Sequence, residues 1–216
     1  MIAEAEGKLF KKWKSERDIK IFVEDGVINE NSYITASPKI LFLLKEANSK
    51  NEFSLKHFVA NGGRSYTWNN IYRWCKCIKN PYDEHNWKDL QSVSNQDRIS
   101  EFKDISVVNL KKDAGSGTTN NNELWNHLER DKDFIIEQTN LYNSDYIICC
   151  GSIVFWAYLF LYNIDEADCE STSRGIRYII HNNRAVIDFC HPEARAANNF
   201  KYYALLDAIH EINGKL

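Results

Sequence analysis

Glycine and proline are scarce in this chain of 216 residues, at 9 and 3, and no stretch repeats at a fixed period or collapses into a few residue types. That excludes solenoid arrays, and it argues against long disordered linkers. No window approaches the ~20 consecutive apolar residues of a membrane span, and the opening Met1-Ile-Ala-Glu-Ala-Glu-Gly lacks the apolar run of a signal peptide. A cytoplasmic protein with no membrane partner is expected. Clustered positive charge is missing as well: the formal charge is −3, which disfavours a protein that coats nucleic acid by electrostatics alone. Lys8, Lys11, Lys12 and Lys14 do gather near the start, but Leu9, Phe10 and Trp13 among them describe an amphipathic helix with solvated lysines.

Several catalytic signatures are absent too. Asp113-Ala-Gly-Ser-Gly-Thr-Thr has glycines but no Gly-Lys-Ser/Thr ending, so it is no Walker loop. Cys149-Cys150-Gly151-Ser152 lacks the Gly-x-Ser-x-Gly elbow of a serine hydrolase. Of the six cysteines, Cys149, Cys150 and Cys190 sit in apolar runs as small buried hydrophobes, and Cys75 and Cys77 point apart on a helical pattern. Reduced thiols, and neither metal nor cofactor, are the expectation.

What is present is a core. At 44% hydrophobic residues, the length supports a single domain over residues 1–216. Four runs carry the Ile, Val, Leu and Phe of strands buried on both faces: Lys39 to Leu44, Ile105 to Leu110, Asp145 to Cys150 and Arg184 to Cys190. Helical spacing fills the intervals at about 66–79, 120–142 and 152–162, with further helices at 4–21 and 196–213 closing the ends. Alternation of this kind predicts an α/β fold, a three-layer α/β/α sandwich around a short, four-stranded, mainly parallel sheet. Segments 48–65 and 163–178 show no clear period; the first follows the first strand, where open parallel sheets bind ligands.

Three polar groups stand at the ends of three of these runs: Glu46, Asn109 and His191. In a parallel sheet they converge on one edge. At these positions the chain resembles the uracil-DNA glycosylase superfamily. Lys45-Glu46-Ala47-Asn48-Ser49 matches that family's Gly-Glu-Ala-Pro-Gly at Glu and Ala; Phe58 to Arg64 echoes its Phe-Val-Gly-Arg-Ala-Gly loop; Val108-Asn-Leu-Lys-Lys112 parallels Thr-Asn-Val-Val-Lys. Asp145 to Ser152 is similar to Asp-Ile-Ile-Val-Thr-Leu-Gly, and His191-Pro192-Glu193 to His-Pro-Ser. The matches run in order from about 38 to 212. They depart from the pattern at Lys45, Asn48, Ser49 and Glu193, and Ala47 stands where several branches carry a catalytic Asp or Asn. The paired N-terminal cysteines of the iron-sulfur branches are missing.

The resemblance implies cleavage of a base from deoxyribose, a reaction that develops positive charge on the sugar and negative charge on the pyrimidine. Glu46 and His191 are then the catalytic pair: the carboxylate faces the sugar cation or orients water, and the imidazole donates to the departing base. Asn109, Phe53, Ala47 and Asn48 form the substrate-binding set, with Asn109 reading the base edge and Phe53, in preference to Phe58, stacking on it. Arg64, Lys112 and Arg195 are the expected nucleic-acid contacts. The implied partner is DNA carrying a damaged base, single-stranded or duplex. A second expectation stays open: a fold relative that binds a nucleotide, a nucleic acid or a protein partner without cleaving it.

Overall fold

In a computed structural model of the chain, residues 1–47, 49, 53–83, 86–113 and 121–215 are described. The elements run α1 (Ile2–Arg17), β1 (Val23–Glu24), β2 (Gly26–Val27), α2 (Glu30–Ile34), β3 (Ile40–Leu44), β4 (Phe53–Ser54), α3 (Leu55–Ala60), α4 (Ser65–Lys79), α5 (Trp87–Gln91), α6 (Asn95–Glu101), β5 (Ile105–Asn109), α7 (Asn121–Leu141), β6 (Tyr146–Cys150), α8 (Ser152–Tyr162), β7 (Glu170–Ser171), β8 (Arg177–His181), β9 (Arg184–Phe189) and α9 (Asn198–Asn213).

The protein is α/β. Its four long apolar runs become β3, β5, β6 and β9, which lie side by side and parallel in the order β5-β3-β6-β9. Their register aligns Leu44 with Asn109 and Cys150 with Phe189, so the carboxyl ends finish level. Because β3 is flanked by β5 on one side and β6 on the other, the chain reverses direction across the sheet there, and a crevice opens beyond its end.

The expected four-stranded sheet is corrected: the main sheet has seven strands in the order β2-β5-β3-β6-β9-β8-β7 and is mixed. The additions are antiparallel. Strand β8 pairs with β9 through a tight hairpin in which Asn182 and Asn183 adopt φ of 52° and 58°, the left-handed conformation that asparagine tolerates in two-residue turns. Strands β2 and β7 are two residues each, too short to leave any alternation in the sequence.

Side-chain alternation splits the core in two. On one face Phe42, Val107, Ile148 and Ile187 pack against α3, α4 and α9, with Trp74, Ile71 and Ile209 fully buried. On the other, Leu41, Leu43, Val108, Ile147 and Val186 meet α1, α7 and α8 through Trp13, Leu128 and Phe155. In α4 the apolar residues Trp68, Ile71, Cys75 and Ile78 recur at helical spacing, and Lys76 and Lys79 in the last turn favour the negative end of the helix. No helix among the described residues is long and apolar enough to cross a membrane.

Candidate active site

Beyond the ends of β3, β5 and β9 lies a cavity of about 490 Å³ whose wall includes Glu46, Ala47, Phe53, Asn109, His191 and Glu193. The strand-end trio read from the sequence therefore shares one pocket, and so do Ala47, Phe53 and Arg64. Asn48 lies outside the described residues.

Asn109 closes β5 and is 1% exposed. Its backbone N–H donates to Asp25 Oδ2 at 2.7 Å, and Asp25 also accepts from Lys112 Nζ at 2.6 Å and from Gln138 Nε2 at 2.7 Å. The main chain is thus pinned from behind. The side-chain amide is not: neither Nδ2 nor Oδ1 has a hydrogen-bond partner among the described residues. A buried polar group left unsatisfied costs roughly 1–3 kcal/mol, and native proteins keep few of them. Here both ends of one amide remain unsatisfied on a cavity wall.

Glu46 follows β3 with its side chain 6% exposed, and Lys111 Nζ stands 3.4 Å from its Oε2. Lys111 also donates to Glu123 in the first turn of α7. Burial alone would lower the pKa of Lys111, but the hydrogen bond it donates to Glu123 and the charges of Glu46 and Glu123 raise it. Lys45 reaches the same helix start, with Nζ 3.0 Å from Asn121 Oδ1; burial pulls its pKa down, and Glu46 opposes the shift.

His191 stands at the pocket mouth two residues past β9. Although the residue is exposed, desolvation by the surrounding protein lowers its pKa from the ordinary value. Glu193 counters that shift, while Lys201, Arg64 and Lys45 add to it. The imidazole is therefore neutral at pH 7. Its Nδ1 accepts the backbone N–H of Glu193 at 3.1 Å, which leaves the proton on Nε2 as a donor. Lys201 fixes the loop by donating to the carbonyls of Pro192 and Ala194 at 3.0 and 3.2 Å, and Asn70 donates to Pro192 at 2.8 Å.

Glu193 is clamped by hydrogen bonds from Arg64 and Thr67. Burial would raise its pKa, but those two bonds and the Arg64 charge hold it below the usual carboxylate range. Arg64, expected to meet nucleic acid, keeps an exposed guanidinium at the cavity rim that is already engaged with Glu193. Arg195 is exposed at a neighbouring cavity of about 590 Å³, which it shares with Tyr66, Arg73 and Glu193. Lys112 is a correction. It is fully buried, bonded to both oxygens of Asp25 and packed over Trp13 and Phe10, so it cannot contact a nucleic acid. A polar side chain one residue beyond Lys111 falls on the opposite side of the extended chain, and here that side faces the core.

An aromatic wall completes the pocket. Phe53 is held at the rim because β4 pairs with β1, Val23 opposite Phe53. It lies 5.4 Å from Phe58, which meets Trp68 edge-on at 6.5 Å. Gly63, at φ +62°, passes so close to the Trp68 indole that a Cβ there would collide with it. The helical spacing at about 66–79 takes in Trp68 without marking it for the site, and the sequence does not single out Thr67 or Asp25. A signal for Trp68 was the Gly62-Gly63 pair just before it, which permits close backbone approach. Thr67 and Asp25 carry none.

Among the described residues no group of three or more His, Cys, Asp or Glu side chains is arranged to hold a metal ion. Neither the models of known protein families nor the curated protein sequences contain a match to this chain.

Proposed function

We propose that the protein is a DNA glycosylase of the uracil-DNA glycosylase type, hydrolysing the N-glycosidic bond of uracil or a related deaminated base in DNA, on that superfamily's three-layer α/β/α scaffold. The observation that carries this reading is the Asn109 amide, buried on the pocket wall with donor and acceptor both unpartnered among the described residues. A pyrimidine with adjacent carbonyl and N–H groups satisfies both at once, whereas a hydrocarbon or a simple anion does not.

The remaining groups fit a base held there. Phe53 offers a π face for stacking. The neutral His191 directs an Nε2–H donor at the mouth, suited to the pyrimidine oxygen on which negative charge grows as the bond to C1′ breaks. Glu46 faces the sugar side as the acceptor that orients water for attack on C1′ and takes its proton. The base departs as an anion stabilised by His191 and is protonated afterwards.

Incubation with a uracil-containing single-stranded oligonucleotide, followed by alkaline treatment, is expected to give a nicked product that Glu46→Gln and His191→Ala each reduce. The rate should be level above neutral pH and fall in acid, at a pH below the ordinary histidine range, as His191 protonates and its Nδ1 can no longer accept the Glu193 N–H. Hypoxanthine and xanthine substrates identify the base. A wild type that leaves every deaminated base in place refutes the proposal.

One observation favours a second reading, a binding protein that does not cleave: Glu193 already occupies the Arg64 guanidinium, so the pocket rim offers a phosphate backbone less positive charge. The same oligonucleotides, retained on the protein without being nicked, would support it.

A further inference from the structure

We infer that the cavity beside the base pocket is a phosphate-binding subsite, in which Arg73, Lys201 and Arg195 take a phosphate of the strand whose damaged base enters the pocket next door. That the phosphate belongs to such a strand rests on the glycosylase reading; that the cavity binds phosphate does not.

The two cavities are neighbours. Glu193 lines both, and its bonds to Arg64 and Thr67 stand between the base pocket and the second cavity, of about 590 Å³. One strand can therefore occupy both at once.

Two cations that the fold has buried without a counter-ion line the second cavity. Arg73, 4% exposed, spends three of its five N–H donors on Leu90 O at 2.8 Å, Asn70 Oδ1 at 2.9 Å and Gln91 O at 3.1 Å. Lys201, 5% exposed, spends two of its three on the carbonyls of Pro192 and Ala194. Every one of these partners is neutral. Burial lowers the pKa of both side chains; Tyr72 opposes the shift at Arg73, while at Lys201 Cys190 opposes it and the Arg73 charge adds to it. Arg195 is exposed on the same wall. The one acid on that wall among the described residues is Glu193, already held by Arg64 and Thr67.

A buried charge is ordinarily paired, because its desolvation is otherwise uncompensated. Three positive groups around one opening call for an anion, and the donors left over on Arg73, Lys201 and the Arg195 fork do not lie in one plane, which suits the tetrahedral oxygens of phosphate. The first turn of α9 opens on the same wall at Asn198 with no side chain capping it, and its dipole has the sign that favours an anion. Tyr66, 67% exposed beside these groups, gives the adjoining sugar or base a ring to rest on. Phosphate contact thus moves from the rim, where Arg64 is engaged, into the neighbouring cavity.

The test has two arms, both on the full chain. In the first, inorganic phosphate is titrated at an ionic strength held constant with chloride, and the arginine side chains are followed by 15N NMR. The Arg73 and Arg195 Nε–H signals are expected to shift saturably. Asn198→Asp, which puts a carboxylate on the wall at a helix position that tolerates one well, should weaken that binding several-fold without lowering Tm. In the second arm, fluorescence anisotropy follows a uracil-containing single strand in which one linkage at a time is replaced by an uncharged methylphosphonate. One linkage near the uracil should cost about ten-fold in affinity, and Arg195→Ala should cost about as much, with a salt slope shallower by about 0.7. The two losses should not add when combined. Absence of a saturable shift, or losses that add at every linkage, overturns the inference. Phosphate binding with no effect at any linkage overturns its strand half and assigns the cavity to a free phosphate compound. If the strand binds in this way and is never nicked, the glycosylase reading falls and the subsite stands.

Discussion

Replacing Asn109 by Leu separates a functional amide from a structural one by the sign of a stability change. The substitution keeps the branched shape and removes a donor and an acceptor that are buried and unpaired among the described residues. Each such group costs roughly 1–3 kcal/mol, and repacking a side chain of similar volume costs less than about 1.5 kcal/mol. The variant is therefore expected to be more stable than the wild type by about 1–3 kcal/mol. At roughly 2–4 °C per kcal/mol for a domain of this size, that is a rise in Tm of about 2–12 °C. Urea unfolding with linear extrapolation gives the first figure and scanning calorimetry the second. Base excision should fall at least ~100-fold, the usual loss when a preorganised hydrogen-bonding group is removed from an active site. A destabilisation beyond about 2 kcal/mol refutes the reasoning, since it means the amide is bonded into the fold. A stable and fully active variant refutes it from the other side, since the amide would then read nothing.

Lys112→Met should cost about 3–5 kcal/mol, seen as a lower guanidinium midpoint, because it strands the Asp25 carboxylate in the core beside Trp13 and loosens the acceptor of the Asn109 N–H. A loss under about 1 kcal/mol would mean that Asp25 finds water or another donor. Glu193→Ser should free Arg64 for phosphate. Tighter binding of single-stranded oligonucleotide by fluorescence anisotropy is expected, with a salt dependence steeper by about 0.7, the value for one added contact. An unchanged salt slope would show that Arg64 does not reach the strand.

The strands that the sequence made plain are those buried on both faces. Ile40–Leu44, Ile105–Asn109, Tyr146–Cys150 and Arg184–Phe189 lie within a residue or two of the apolar runs, and the helices Ser65–Lys79, Asn121–Leu141 and Ser152–Tyr162 follow the expected spacing closely. Burial on two sides or along one helical stripe writes itself into residue type. Strand β8 left a signal that was not taken up: Ile179-Ile180 and Ala185-Val186 flank the Asn182-Asn183 turn. The Ser94–Asp97 capping box likewise marked the start of α6. The site was legible to the extent that strand ends converge, which brought Glu46, Asn109 and His191 together. What each side chain bonds to was not. Lys111 and Lys112 are neighbours in sequence and identical in type, yet one faces Glu46 and the other Asp25, a distinction that only the packing of α1 and α7 creates.

Glu46, Asn109 and His191 stand at the ends of three different strands, drawn from the first, middle and last parts of the chain and joined through the sheet. Any form in which β9 has come away from β6 lacks the imidazole, and any form without β5 lacks the amide. Occupancy of the pocket is thus linked to the global unfolding equilibrium and not to a local loop. A ligand at a hundred times its Kd adds about 2.7 kcal/mol to the stability of the entire domain. Amide hydrogens in β3, β5, β6 and β9 should then exchange more slowly together, so a free base that is never cleaved still announces its binding throughout the sheet.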